Sequence, residues 1–350
     1  MAKKRQKSTT ELQQQLEELN ARLVGLMNER ALLFQQLSAT TTDAVLGHSD
    51  VPAASPLAAR SLQRIFRELD SATLELVAKT RVVYLGPEYS YSHLAAIERF
   101  GQGVELVAVG TISAVFEEVA AKQADFGMVP IENSTDGRIV DTIGMFARVQ
   151  TSICGEVQLR IHHNLLARCA RSEVREVYSK PQALSQCRDW LAKHLPQARA
   201  VETASTTVAA QIAAQEQNAA AIASRQAGVE YGLRVIAKNI EDNENNITRF
   251  AVIGHAPGAR TGNDKTSIMF EIHHRPGALA DAMAVFKKRK LNMTWIESFP
   301  MPGTKSEYLF FVELEGHHES AQVRRALKEL TEHTVKLSIL GSYAKSEPVE

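Results

Sequence analysis

The 350-residue sequence has little cysteine, no surplus of either charge and no long apolar run. Its three cysteines, Cys154, Cys169 and Cys187, form no CxxC pair, which argues against a disulfide framework or a zinc site. Basic and acidic side chains number 40 each, so nucleic acid or an anionic membrane is not the expected partner. Because no apolar stretch could span a bilayer and the first ten residues are polar, we predict a cytoplasmic protein.

Motifs of cofactor-dependent and covalent chemistry are missing as well. No GxGxxG opens a helix, no GxxxxGK[ST] loop is present, and neither metal-ligand spacing nor a Ser–His–Asp arrangement is recognisable. We therefore expect neither a cofactor nor a metal. An anionic substrate would have to be bound by a few local cations and hydrogen-bond donors.

The N-terminal region is predicted to be helical. From Glu11 to Leu37, leucines alternate at steps of four and three, as in a coiled-coil seam, with Arg30 at one seam position. That cation is either a ligand-binding group or a residue that fixes register. A polar linker, Thr40 to Ser55, precedes a second helix from Leu57 to Ala78, and we expect the two helices to pair with another subunit.

From Arg81 the pattern changes to alternating strands and helices. Apolar runs at Arg81–Leu85, Phe126–Ile131 and Arg175–Tyr178 predict strands, and His93–Phe100 predicts a helix. An α/β fold follows, in which ligands bind at the carboxyl ends of the strands.

The last quarter of the chain predicts a separate module after a linker at His255–Lys265. Its order is strand, helix, strand, strand, helix, strand, which is that of a ferredoxin-like domain. The predicted ranges are Ser267–His273, Pro276–Lys288, Asn292–Ser298, Glu307–Glu315, Ser320–His333 and Val335–Tyr343.

Polar clusters follow the predicted strands of the central region. They are Gly86–Ser92, Glu132–Ser134, Ser179–Gln186 and Asn246–Phe250. Hydroxyls, amides, one carboxylate and one guanidinium suit the binding of a small polyoxygenated anion. Ordinary turn and helix-cap roles explain each cluster, taken alone, better than a binding role does.

Taken together and in order, these clusters resemble the prephenate dehydratase family from about Val82 to Gly254. The resembling strings are Ala124-Asp-Phe-Gly-Met-Val-Pro-Ile-Glu-Asn-Ser134, Ser205-Thr-Thr-Val-Ala-Ala210, Tyr231-Gly-Leu233 and Asn246-Ile-Thr-Arg-Phe250. The resemblance implies two α/β subdomains like those of periplasmic-type binding proteins. It also implies that prephenate loses water and carbon dioxide to give phenylpyruvate, in phenylalanine biosynthesis.

The resemblance also assigns roles to residues. The catalytic threonine of the family falls on Thr248, and the next residue, Arg249, is either a grip on a substrate carboxylate or an ion pair that holds the cleft wall. The substrate-binding positions fall on Ser92, Glu132, Asn133, Ser134, Ser179 and Gln186. Two positions depart from the family pattern: Lys180 replaces a histidine and Tyr89 replaces a glycine. Prephenate and its amino analogue arogenate remain equally compatible with the sequence.

The C-terminal module resembles the ACT domain, which implies phenylalanine as the effector. The effector-binding positions of the resemblance are Gly277, Ala278, Leu279, Glu297 and Ser298. Phe299 stands where the family has arginine, so weaker feedback inhibition is expected. ACT modules tend to pair, and together with the leucine seam this predicts a homodimer or a higher homo-oligomer.

The N-terminal helices resemble a reduced form of the chorismate mutase that is fused to some dehydratases. Arg30 fits an arginine of its first helix, whereas Gln13 and Thr41 stand where cations are expected. We predict three domains, 1–80, 81–255 and 266–345, with the first serving dimerisation. Two alternatives remain: an active bifunctional mutase–dehydratase and a non-catalytic amino-acid-binding regulator.

Overall fold

The computed structural model describes residues 8–40, 56–135, 137–300 and 308–349. It separates into two compact units. One comprises residues 1–80 together with Arg99–Glu105, and the other comprises Arg81–Glu98 together with Leu106–Glu350.

In the first unit two helices, α1 (Thr9–Thr40) and α2 (Ala59–Glu75), lie close to the predicted ranges. Arg30 of α1 forms an ion pair with Asp70 of α2, which favours the register-fixing role among the two that the sequence left open. The predicted linker falls almost wholly on residues 41–55, which lie outside the described residues, as does Thr41.

The leucine seam of α1 lies on the surface of this chain. Its members are between 49% and 61% exposed: Leu12, Leu16, Leu19, Leu23, Leu26, Leu33 and Leu37. Within the same unit α2 packs tightly on the segment 99–105. The amide of Gly103 donates to Ser71 Oγ (2.8 Å), and a side chain at Gly101, where φ is +72°, would collide with Ser71.

The other unit alternates strands and helices as predicted. The remaining α-helices are α3 (Tyr91–Phe100), α4 (Ile112–Ala120), α5 (Val140–Phe146), α6 (Pro181–Gln186), α7 (Arg188–His194), α8 (Thr206–Gln215), α9 (Arg225–Glu230), α10 (Ala278–Arg289) and α11 (Ala321–Leu330). Short 3₁₀ turns occupy Arg171–Glu173 and Thr331–His333.

The strands form three sheets. They are β1 (Arg81–Leu85), β2 (Glu105–Val109), β3 (Phe126–Asn133), β4 (Gly137–Arg138), β5 (Ser152–Arg160), β6 (Asn164–Ala167), β7 (Glu176–Ser179), β8 (Arg199–Glu202), β9 (Ala219–Ala223), β10 (Arg234–Ala237), β11 (Ile247–Gly254), β12 (Asp264–Glu271), β13 (Met293–Pro300), β14 (Tyr308–Glu315), β15 (Lys336–Ala344) and β16 (Pro348–Val349).

The first sheet has the order β16-β5-β11-β3-β1-β2, with β4 paired to β3, and the second sheet has the order β10-β6-β9-β7-β8. The chain crosses from the first sheet to the second after β5 and returns before β11. The two crossings are bonded to each other: the main-chain N–H of Ile240 donates to the carbonyl of His163 (2.8 Å), and that of His163 donates to the carboxylate of Glu241 (2.9 Å). The fold therefore consists of two α/β subdomains joined by a double crossing, as expected.

The third sheet, here called the C-terminal sheet, has the antiparallel order β13-β14-β12-β15 and carries α10 and α11. This βαββαβ module confirms the predicted ferredoxin-like (ACT) fold. One boundary differs, because β12 begins at Asp264, inside the predicted linker His255–Lys265. Asp264 and Lys265 are both buried, and Lys265 forms an ion pair with Glu156 (3.1 Å).

The C-terminal sheet has two different faces because side chains alternate along each strand. In β14, Phe310 and Val312 belong to the core formed with α10 and α11. Leu309 and Phe311 belong instead to a core shared with Ala251 and other residues of the first sheet. The first sheet is thus packed directly against the C-terminal sheet. Among the described residues, no helix is long and apolar enough to cross a membrane.

Candidate active site

Thr248 and Asn133 lie opposite each other on neighbouring antiparallel strands, β11 and β3. Both side chains are buried, and Asn133 Nδ2 donates to Thr248 Oγ1 (2.8 Å) and to Asn246 Oδ1 (2.9 Å). A hydroxyl has one hydrogen to donate and can accept from two donors. Since Thr248 accepts from Asn133, its own hydrogen is directed elsewhere and can serve a ligand.

The same network extends to the second sheet. Asn246 Nδ2 donates to Gln186 Oε1 (2.9 Å), and the same oxygen lies 2.9 Å from His163 Nε2. Gln186 ends α6, which packs on the second sheet, whereas Asn246 directly precedes β11 of the first. The predicted site residues Thr248, Asn133 and Gln186 therefore meet where the two subdomains adjoin.

His163, at the first crossing, is a buried member of this network. Burial lowers the pKa of His163, although the hydrogen bond to Gln186 and the charge of Glu241 oppose that effect. A neutral ring with its hydrogen on Nε2 fits the geometry, because Gln186 offers an oxygen there. Nδ1 lies 3.4 Å from the hydroxyl of Tyr91, which donates to the carbonyl of His162 (2.9 Å).

The predicted serines lie in three different environments. Ser134 Oγ donates to the carbonyl of Asn245 (2.8 Å) and accepts from the N–H of Ile247 (2.9 Å), so it ties the end of β3 to the start of β11. Ser92 is buried in the first turn of α3. Ser179 is fully buried, and its hydroxyl donates to the carbonyl of Ile222 in β9 (2.7 Å). Ser179 thus supports the junction of β7 and α6 from inside the second sheet.

Arg249 lies beside Thr248 in sequence but on the opposite side of β11. Its guanidinium donates to Glu132 Oε2 (2.7 Å), to Glu156 Oε2 (3.0 Å) and to Glu313 of the C-terminal sheet. Lys265 lies between the carboxylates of Glu156 (3.1 Å) and Glu313 (3.3 Å). We call these five residues the carboxylate cluster. The arrangement favours the structural ion pair over the substrate grip.

The cluster sets two cations, Arg249 and Lys265, against three carboxylates. Burial by itself lowers the pKa of Arg249, but the carboxylates of Glu313 and Glu156 outweigh burial and raise it. Burial likewise raises the pKa of Glu313, but Arg249 and Lys265 lower it below the ordinary glutamate value. The charged forms of Arg249 and Glu313 therefore stabilise each other.

The predicted effector residues lie in the C-terminal module. Gly277 is the N-cap of α10 with φ at +81°, a conformation that favours glycine, and the space above it is open. Ala278 is buried, and Leu279, the second residue of α10, packs against the core between α10, α11 and the C-terminal sheet. Glu297 and Ser298 are consecutive in β13 and so point to opposite faces of the sheet.

The two positions that depart from the family pattern, Tyr89 and Lys180, lie in different surroundings. Tyr89 adopts φ of +63°, the left-handed region in which a glycine is unstrained, and its N–H donates to His93 Nδ1 (2.9 Å). Its ring meets that of Tyr231 edge-on. Lys180 is exposed at the N-cap of α6, where its own side chain makes no cap hydrogen bond.

Sequence reasoning missed two members of the network. Asn246 stands in the recognised string Asn246–Phe250 but was not selected, although a buried amide at a strand entrance is a detectable signal. His163 gives no such signal, since its link to Gln186 exists only in three dimensions. Among the described residues no group of histidine, cysteine, aspartate and glutamate side chains could hold a metal ion.

Comparisons with known proteins identify the family. The family model for prephenate dehydratase matches residues 82–258. The bifunctional chorismate mutase/prephenate dehydratase of Aquifex aeolicus is 39% identical over 353 residues, covering 96% of this chain and 98% of that protein. A bifunctional enzyme of the same name from Neisseria gonorrhoeae is 40% identical over 292 residues, which is 82% of this chain and 81% of that protein.

Among solved structures, the prephenate dehydratase of Arthrobacter aurescens in complex with L-Phe has a TM-score of 0.71 and is 32% identical, covering 76% of this chain and 90% of that one. Because fold alone does not fix function, the family assignment depends on the sequence matches. By its match over half of the sequence and its identity to full-length relatives, the chain belongs to the prephenate dehydratase family, the lyases that convert prephenate into phenylpyruvate.

Proposed function

We propose that the network of Thr248, Asn133, Asn246 and Gln186 carries out the dehydratase reaction. The observation behind this proposal is that the catalytic position of the family, Thr248, is a buried hydroxyl with its acceptor side already occupied by Asn133 Nδ2 (2.8 Å). Its hydrogen is therefore oriented for donation. The reaction leaves the ring of the substrate aromatic, and this supplies the driving force without a cofactor.

The step requires one bond to break on each side of the ring. The electron pair of the bond to the ring carboxylate enters the ring as carbon dioxide departs, and the bond to the ring hydroxyl breaks. The departing oxygen takes up a proton supplied by the solvent and leaves as water. Thr248 donates a hydrogen bond to that oxygen as negative charge develops on it, which is the kind of preorganised stabilisation that speeds such reactions most.

The substrate contacts follow from the same geometry. We assign them to Ser92, Asn133 and Gln186. The predicted contact Glu132 instead pairs with Arg249 on the opposite face of β3, and the hydroxyl of the predicted contact Ser134 is used by the carbonyl of Asn245. Ser179 does not contact the substrate directly, because its hydroxyl donates to the carbonyl of Ile222. Its contribution is to hold the start of the helix that ends in Gln186.

The test is turnover of the purified protein with prephenate, followed by the appearance of phenylpyruvate. We expect steady conversion that needs no added metal or cofactor. Arogenate offered in parallel decides between the two substrates that the sequence leaves open, since it differs only in its side chain. A folded protein that converts neither compound would overturn the proposal in favour of the non-catalytic regulator.

Phenylalanine is the proposed effector of the C-terminal module. The open turn at Gly277 begins α10, so its backbone N–H groups and the helix dipole can receive the carboxylate of the amino acid. The relative from Arthrobacter aurescens was solved with L-Phe bound. Phe299 packs against the core shared with the first sheet and has none of the donors of an arginine, so binding should be weaker than in relatives that keep the arginine.

Calorimetry with phenylalanine tests this proposal. We expect binding to the wild type and its loss in Gly277→Val, because valine cannot adopt φ of +81° without strain. Gly262→Val is the matched control, since Gly262 also has positive φ and open space but lies in the loop before β12. Equal binding by the wild type and by Gly277→Val would show that phenylalanine does not bind at this turn.

The leucine seam of α1 is proposed to bind a second copy of the chain in a cytoplasmic homodimer. Seven seam leucines are about half exposed, and such a stripe is normally covered in solution. In sedimentation, Leu23→Glu should shift the protein toward the monomer, whereas Gln14→Glu, which adds the same charge off the seam, should not. An unchanged assembly in Leu23→Glu would place the dimer contact elsewhere.

A second candidate activity is the rearrangement of chorismate. The observation in its favour is the bifunctional name of relatives that align over 96% of this chain. Against it, Arg30 is engaged by Asp70 of its own chain, and Gln13 carries no charge. We expect no chorismate consumption above the uncatalysed rate. Consumption that is abolished by Arg30→Ala would establish the bifunctional alternative.

A further inference from the structure

We propose that Glu313, in the C-terminal module, is a positioning residue of the dehydratase site and acts through Arg249. The inference rests on the proposed function of Thr248 and adds to it a group from a different domain. Glu313 touches neither Thr248 nor Asn133 in the structure. It binds the guanidinium of Arg249, which is the sequence neighbour of Thr248.

The strands transmit position because they are extended and paired. Thr248 and Arg249 are consecutive in β11, opposite Asn133 and Glu132 of β3. Side chains of consecutive strand residues point to opposite faces, so one face carries the Thr248–Asn133 hydrogen bond and the other carries the Arg249–Glu132 ion pair. A shift of the ion pair therefore shifts the hydrogen-bonded pair on the other face.

Arg249 is held from three separate segments. Its planar fork reaches Glu132 in β3, Glu156 in β5 and Glu313 in β14, and its side chain is only 14% exposed. A guanidinium offers several donors in a fixed plane, so its orientation is set by where the three carboxylates lie. Two of those strands belong to the first sheet, and the third belongs to the C-terminal sheet.

Glu313 is itself fixed by its own domain. Its carboxylate accepts from the hydroxyls of Thr294 in β13 and Tyr343 in β15 (3.0 Å for the latter), and it is almost completely buried. Lys265 of β12 lies 3.3 Å away. All four strands of the C-terminal sheet thus contribute to its position, and any change in that sheet reaches Arg249 through this carboxylate.

The test is steady-state kinetics of Glu313→Gln, which keeps the shape and removes the charge. We expect kcat to fall roughly ten- to a hundredfold, the usual cost of misplaced catalytic groups, with KM within about twofold. Glu315→Gln is the matched control on the same strand, where Glu315 pairs with Lys345 near the surface (2.7 Å), and it should keep the wild-type kcat.

A purely structural role would lower the melting temperature of Glu313→Gln but leave kcat per folded molecule unchanged, and that result overturns the inference. If Glu313→Gln fails to fold, Tyr343→Phe removes only one donor to the carboxylate and should lower kcat severalfold; unchanged kcat there also overturns it. A wild type without turnover would instead refute the function of Thr248, so the two failures are distinguishable.

Discussion

The two faces of β11 differ in the polar side chains that they carry. The face with Thr248 carries a hydrogen-bond network of hydroxyl, amide and neutral imidazole groups that continues to Gln186 and His163. The face with Arg249 carries full charges, in the carboxylate cluster. Neighbouring residues on one strand thus serve a neutral site and a charged one.

The difference has a physical reason. An anionic substrate is repelled by unpaired carboxylates, so the cluster's acidic side chains are kept on the far face and paired with Arg249 and Lys265. A departing hydroxyl needs a donor of hydrogen bonds, and neutral hydroxyl and amide groups supply one without a large desolvation cost. On the proposed function, the charged face holds the strands in place and the neutral face carries the reaction.

The largest expected effect is on stability, from Arg249→Met. Removing the guanidinium leaves buried carboxylates facing one another, and breaking such a buried ion pair costs about 3–5 kcal/mol. Urea denaturation measures the free energy of unfolding. Lys288→Met, which removes an exposed lysine paired with Glu329, is the control and should cost much less. Equal losses for both variants would remove the distinction between the cluster and the surface.

Thr248→Val should act on catalysis while leaving the fold intact. Valine keeps the shape and removes the hydroxyl, and loss of one preorganised donor is worth about 3 kcal/mol, or roughly a hundredfold in kcat. Thr331→Val, which removes a helix-end hydroxyl of the C-terminal module, should leave kcat unchanged. Turnover of Thr248→Val within a few-fold of wild type would contradict the role of this face.

The charged face should also respond to acid. The folded-state pKa of Glu313 lies below its ordinary value of 4.5, so its contribution is fully present above that pH. The free energy of unfolding should fall as the pH drops below 4.5 and through the lowered pKa, because the unfolded chain then binds more protons. Melting curves of wild type and Glu313→Gln should converge in acid. A constant difference at every pH would exclude this carboxylate as the cause.

The smallest expected effect is that of Ser179→Ala. Its hydroxyl donates to the carbonyl of Ile222, so removal should cost about 1 kcal/mol of unfolding free energy. KM for prephenate should stay within about twofold, because the hydroxyl is occupied inside the second sheet. A tenfold rise in KM with unchanged stability would show that Ser179 contacts the substrate, as the family resemblance implies.

Local patterns were sufficient for much of the fold. Apolar runs located β1 and β3, the leucine spacing located α1, and the order of the C-terminal elements predicted the ferredoxin-like module. Boundaries were less accurate: β3 continues to Asn133, two residues beyond the predicted end, because Glu132 and Asn133 find partners on β11 that the local sequence does not contain. The prediction of three domains remains untested.

By itself the sequence determined the α/β character of the central region, the N-terminal helices, the order of elements in the C-terminal module and, through ordered strings such as Asn246–Phe250, the family to which the chain belongs. Only the tertiary structure decided which groups the neighbours Thr248 and Arg249 contact. Their partners Asn133 and Glu313 lie 115 and 64 positions away in sequence. It likewise brought His163 to Gln186. Hydrogen bonds and ion pairs depend on distance in space, and strand pairing sets that distance for residues far apart in the chain.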